Sequence, residues 1–176
     1  MALVSEEQKQ QYAEDGYFFL ENVIPDHFLE MLRGKCQLAI DLADAEMDEL
    51  GTDSHRLNHR NKRYFRSRMH ETVPELNDFL FSDLIADICR ATLGENAYLF
   101  NEQYVIKGAD IGMKFSWHQD SGYVGYPDHK PYLSCWCALD DMSEANGTVR
   151  VMPFPRVGIR SFVKHIQEEG SNDLVG

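Results

Sequence analysis

Met113-Lys114-Phe115-Ser116-Trp117-His118-Gln119-Asp120-Ser121 alternates apolar with polar side chains, the two-residue period of a β-strand. Met113, Phe115 and Trp117 fall on one face, and Lys114, Ser116, His118 and Asp120 on the other. On this reading an imidazole and a carboxylate, His118 and Asp120, share a polar strand face two residues apart. They are two-thirds of the 2-His-1-carboxylate facial triad, which binds Fe(II) on one side and leaves the other open to oxygen and a co-substrate. An arbitrary His-x-Asp pair is most often a strand histidine beside a turn aspartate. Here the whole polar face suggests a lined cavity, and the third ligand becomes the question.

Outward from this stretch the C-terminal half reads as β. Residues 97–107, 132–139 and 148–152 are further strand candidates, separated by Gly-, Pro- and Asn-containing connections. In Tyr132-Leu133-Ser134-Cys135-Trp136-Cys137-Ala138-Leu139 the alternation puts Tyr132, Ser134, Trp136 and Ala138 on one side. Leu133, Cys135, Cys137 and Leu139 on the other side read as core, and Trp136 would face the cavity of the His-x-Asp pair.

The N-terminal half reads as helical. Ser5-Glu6-Glu7-Gln8 has capping-box spacing and opens a helix that Gly16 can end. Tyr17-Phe18-Phe19-Leu20 reads as a strand. From Asp26, taken as an N-cap, Phe28, Leu29, Met31, Leu32, Cys36, Ile40 and Ala43 recur at helical spacing toward Gly51. The acidic residues Asp41, Asp44, Glu46, Asp48 and Glu49 read as a solvated face. A further helix is capped by Ser82 and stops at Gly94. Helices followed by strands predict an α+β domain, with helices backing an antiparallel sheet or an incomplete sandwich.

The basic stretch Arg56, Arg60, Lys62, Arg63, Arg66 and Arg68 lacks periodicity and reads as a loop that balances the acidic helix; binding of an anionic substrate is the alternative. The tail carries a short amphipathic piece over 159–166, a polar run, and Leu174-Val175-Gly176, which reads as the lead-in to another element.

The 176 residues, 43% of them hydrophobic, suit a single domain with a real core. A formal charge of −12 disfavours nucleic acid and anionic membranes as partners and favours a small molecule. No N-terminal leader or membrane-spanning run is evident, so a soluble, cytoplasmic protein is expected. Cys36, Cys89, Cys135 and Cys137 lack zinc-type spacing and are expected to be buried free thiols.

In this order and spacing, several stretches together resemble the phytanoyl-CoA dioxygenase family of Fe(II)/2-oxoglutarate-dependent oxygenases, from Ser5 to about Pro153. They are Glu14-Asp15-Gly16-Tyr17 after the first helix, Leu93-Gly94, Trp117-His118-Gln119-Asp120, and Trp136-Cys137-Ala138-Leu139-Asp140-Asp141 leading to Glu144-Ala145-Asn146-Gly147. The resemblance implies a double-stranded β-helix (jelly-roll, cupin-like) behind the N-terminal helices. It also implies hydroxylation of an unactivated C–H bond of a small molecule, coupled to decarboxylation of 2-oxoglutarate to succinate by molecular oxygen. His118 and Asp120 match the first two iron ligands. Trp136 matches a tryptophan beside the bound 2-oxoglutarate, and Asn101 or Gln103 matches a position that often hydrogen-bonds it; a solvent-facing strand edge is the alternative for these two. An Asp at 120 favours hydroxylation over the halogenation of relatives that lack a carboxylate there.

The departures matter equally. The family's distal histidine ligand and the arginine that clamps 2-oxoglutarate are expected downstream of residue 176, leaving a C-terminally incomplete domain of residues 1–176 and an inactive chain. His165 is a weak candidate for the third ligand and reads first as a surface residue; His129 reads as a loop residue. Pro153-Phe154-Pro155-Arg156 replaces the family's Pro-Gly-Ser-His turn, and Arg150, Arg156 and Arg160 read as surface charges before co-substrate ligands. A jelly roll without its last strands would expose sheet edges open to oligomerisation. The competing expectation is a truncated or degenerate jelly roll that acts as a binding or structural module.

Overall fold

The computed structural model describes residues 2–108, 117–124, 132–158, 166–167 and 174–175. Helix α1, Glu6–Asp15, starts on the capping box: the Gln8 amide donates to Ser5 Oγ at 3.2 Å and the Ser5 amide to Gln8 Oε1 at 2.9 Å. It ends at Gly16, whose φ of +87° is left-handed and whose N–H closes onto the Tyr12 carbonyl. The Phe154 ring lies where a Cβ at position 16 would be, 2.6 Å away, and so ties the start of the chain to residue 154.

Helix α2, Asp26–Leu50, buries Leu32, Ala39, Ala43 and Met47, one stripe at spacings of seven, four and four. Pro25 occupies the cap and Asp26 lies in the first turn, where its charge suits the helix dipole; the expected Asp26 cap is thus displaced by one residue.

The main sheet departs from the expected order of helices and then strands. Strands β1 (Ser54–His55), β2 (Asn58–His59) and β3 (Arg63–Ser67) arise in the basic stretch, and β4 (Gln103–Lys107) completes an antiparallel order β1-β2-β3-β4. In the β3/β4 register Tyr64 faces Ile106 and Arg66 faces Tyr104. Between them lie helices α3 (Glu75–Leu80) and α4 (Asp83–Thr92), the latter capped by Ser82 as its sequence predicts. The core joins α2 to this sheet: Leu32 and Ala39 pack with Met69, Val73, Leu76, Phe79 and Tyr104, while Ala43 and Met47 pack with Tyr64. Ile106 touches both groups.

Beyond β4 the expected strands do not form among the described residues. Residues 117–119 are irregular and Asp120–Val124 is a short helix, α5. Residues 132–139 and 148–152 are irregular too, as are 17–20. Alternation supplies side chains suited to a pleated surface, but a strand also needs a partner ladder. A last short helix, α6 (Phe154–Val157), forms in the Pro153-Phe154-Pro155-Arg156 turn, and β5 (Ile166–Gln167) pairs with β6 (Leu174–Val175). The molecule is therefore a mixed helix and sheet structure with a small antiparallel sheet.

The acidic end of α2 is not simply solvated. Arg60 reaches Asp48 at 2.6 Å, Asp53 at 2.8 Å and Asp44 at 3.4 Å, and Arg66 pairs with Glu46 at 2.5 Å. The basic stretch thus balances the acidic helix.

Candidate functional site

Asp120 is the first residue of α5, where the unsatisfied N–H groups and the dipole favour a carboxylate. The helix start replaces the strand expected here, yet it brings His118 and Asp120 together. His118 Nε2 lies 3.3 Å from Asp120 Oδ1, and the His118 ring packs edge-on against Tyr123 with centroids 5.3 Å apart. Ser134 Oγ donates to the other oxygen, Asp120 Oδ2, at 2.5 Å. Tyr132, two residues earlier, has its phenol pushed above its ordinary range by burial and by the Asp120 charge. Its ring packs edge-on against Phe100, centroids 5.9 Å apart. The segment carrying Tyr132 and Ser134 therefore bridges Asp120 and the approach to β4.

On that approach Asn101 and Gln103 are both exposed. Gln103 opens β4 opposite Ser67, whose hydroxyl donates to Gln103 Oε1 at 3.3 Å. Glu102 between them turns inward: it accepts the Met69 N–H at 2.6 Å and pairs with His70 Nδ1. Trp136 is 52% exposed, and of its expected core neighbours Cys137 and Leu139 pack on the core while Cys135 is exposed. All four cysteines are free, and none is fully buried.

Two ligands bound at about 2.1 Å and a right angle to one ion lie roughly 3.0 Å apart. The 3.3 Å between His118 Nε2 and Asp120 Oδ1 fits that arrangement, and imidazole plus carboxylate suits a divalent transition metal. Among the described residues no group of three or more His, Cys, Asp or Glu side chains could hold an ion. His165, His129, Arg160, Lys114 and Ser116 lie outside the described residues. Arg150 pairs with Glu144 at 3.6 Å, both exposed, and Arg156 is exposed. Reading the sequence alone misses Ser134 and Tyr123 as neighbours of the pair; the signal for Ser134 is its place on the Tyr132, Ser134, Trp136 and Ala138 side of the 132–139 alternation.

The profile of the phytanoyl-CoA dioxygenase family matches residues 12–154. The chain belongs to this family. Among its relatives, the ectoine dioxygenase of Bordetella parapertussis is 28% identical over 156 residues, covering 85% of this chain and 49% of the relative. The phytanoyl-CoA dioxygenase domain-containing protein 1 homolog of Dictyostelium discoideum is 24% identical, covering 85% and 64%. A probable alpha-ketoglutarate-dependent hypophosphite dioxygenase of Stutzerimonas stutzeri is 25% identical, covering 84% and 52%. The chain thus spans about half to just under two-thirds of the length of these relatives. No solved structure matches it. Among the described residues no helix is long and apolar enough to cross a membrane.

Proposed function

We propose that this protein is an Fe(II)/2-oxoglutarate-dependent dioxygenase that hydroxylates an unactivated C–H bond of a small-molecule substrate. One observation carries the reading: in a chain of this family, His118 Nε2 and Asp120 Oδ1 lie 3.3 Å apart, at the separation of two neighbouring ligands on one ion. His118 and Asp120 would hold the iron. Bound iron supplies oxygen activation, coupling loss of carbon dioxide from 2-oxoglutarate to hydroxylation. Trp136 walls the co-substrate with its flat face, and the Gln103 and Asn101 amides orient its carboxylate by hydrogen bonds. A double-stranded β-helix around these residues is the fold this reading expects from the family. Free cysteines suit a reducing, cytoplasmic setting. Strand β4, paired only with β3 among the described residues, offers an edge for association between copies.

If no third ligand joins His118 and Asp120, the protein is expected to bind metal weakly and to form no succinate. The competing reading is a binding module without turnover. Anaerobic Fe(II) titration and succinate release in the full-length protein decide between them. Asp120→Ala is expected to abolish succinate formation while shifting the melting temperature by only about 1–2 °C, as for a half-exposed side chain. Succinate formation at the native rate in that variant, or none in the native protein, overturns the proposal.

A further inference from the structure

The two oxygens of Asp120 are shared between different partners. Oδ1 faces His118 Nε2 at 3.3 Å, while Oδ2 accepts the hydroxyl of Ser134 at 2.5 Å. Two residues before Ser134, the Tyr132 ring rests on Phe100 at the approach to β4. The donor therefore comes from a segment separate from the helix that carries the carboxylate.

We infer that Ser134 is a positioning residue that ties up Asp120 Oδ2 and presents the carboxylate to a metal through Oδ1 alone. The inference rests on the proposed metal site and deepens it. A carboxylate with both oxygens turned to an ion chelates it, a mode favoured by large hard cations such as calcium, which take six to eight oxygens at about 2.3–2.6 Å. A one-oxygen carboxylate occupies a single position, which suits a compact ion at about 2.0–2.2 Å and leaves room for a two-atom chelating co-substrate. The hydroxyl also fixes the carboxylate plane toward His118, so less rotational freedom is lost when both side chains close on the ion. Outer hydrogen bonds of this kind typically change metal affinity by 10–100-fold.

The test is Mn(II) titration of the full-length protein followed by electron paramagnetic resonance, with Ca(II) as competitor, for the native chain, Ser134→Ala and Ser134→Thr. Ser134→Ala is expected to weaken Mn(II) binding by about 10–100-fold and to lower the Mn(II)-over-Ca(II) preference, while Ser134→Thr keeps both. Because the Ser134 hydroxyl is exposed, the melting temperature stays put in both variants. Unchanged affinity and preference in Ser134→Ala overturns the inference while leaving the metal site standing, and so does an equal loss in Ser134→Thr. Failure of the native protein to bind Mn(II) overturns both readings at once.

Discussion

A methyl group at position 108 would sit 2.1 Å from the Asn61 carbonyl oxygen, and the Gly108 N–H already donates to the Lys62 carbonyl at 2.8 Å. The end of β4 therefore lies flush against the turn joining β2 to β3, and only glycine fits. Gly108→Ala is expected to cost about 1–3 kcal/mol, measured by urea denaturation, because backbone on one side must move. Nothing in Gly108-Ala109-Asp110 beyond a turn signal announces this contact; it depends on a carbonyl 47 positions earlier (108 minus 61). Glu102 makes a similar point. Its side chain is only 11% exposed, with the Met69 N–H and His70 as partners, so Glu102→Ala leaves a part-buried amide without its acceptor. A loss of about 1–3 kcal/mol is expected, smaller for Glu102→Gln, which retains an acceptor oxygen. Equal stability of the native and Ala forms in thermal denaturation would contradict the clip that the geometry describes.

At the scale of elements, helices α1, α2 and α4 were legible and most strands were not. The capping box at Ser5, the Ser82 cap and the apolar stripe of α2 are local signals, complete within one or two turns of chain. Strands 54–67 carry no such signal, because side chains a strand would turn to water are held inward by partners that the turns of the same stretch bring together. Arg63 is buried, donating to the Leu57 carbonyl at 3.1 Å and lying over the Phe65 ring, and Asn58 is buried around the Phe65 N–H at 2.7 Å. Their ladder partner β4 lies about forty residues away. Conversely 132–139 alternates cleanly and still forms no ladder among the described residues. The contact between α2 and the sheet is tested at Tyr64. Its hydroxyl donates to Asp44 at 3.0 Å and accepts the Asn61 N–H at 2.8 Å. Tyr64→Phe removes both bonds without opening a cavity, and a loss of about 1–2 kcal/mol in chemical denaturation is expected.

For the whole molecule, the core between α2, α3 and the sheet is organised around two buried tyrosines, and this gives the protein an alkaline limit. Burial raises the Tyr104 and Tyr64 phenols above their ordinary value near 10, and Tyr104 also donates to the Leu32 carbonyl at 3.2 Å. Unfolded tyrosines release their protons near pH 10, whereas the folded ones retain them, so above that pH the folded state binds more protons than the unfolded one. The stabilisation is complete below about pH 10 and is lost as pH rises toward the folded values. Melting temperature is therefore expected to fall steeply above about pH 10, and less steeply in Tyr104→Phe, which at neutral pH costs about 1 kcal/mol for the lost hydrogen bond. Parallel slopes for the two proteins in a pH series of thermal melts would count against this account. Residue types at short fixed spacings were enough for helices α1, α2 and α4, for the Ser5 and Ser82 caps, for the proximity of His118 and Asp120, and for the family. Tertiary structure alone decided which segments became strands, that the acidic helix and the basic hairpin neutralise each other, and that Ser134 meets Asp120. Each of these depends on groups far apart in the chain, which only packing brings within a few ångströms.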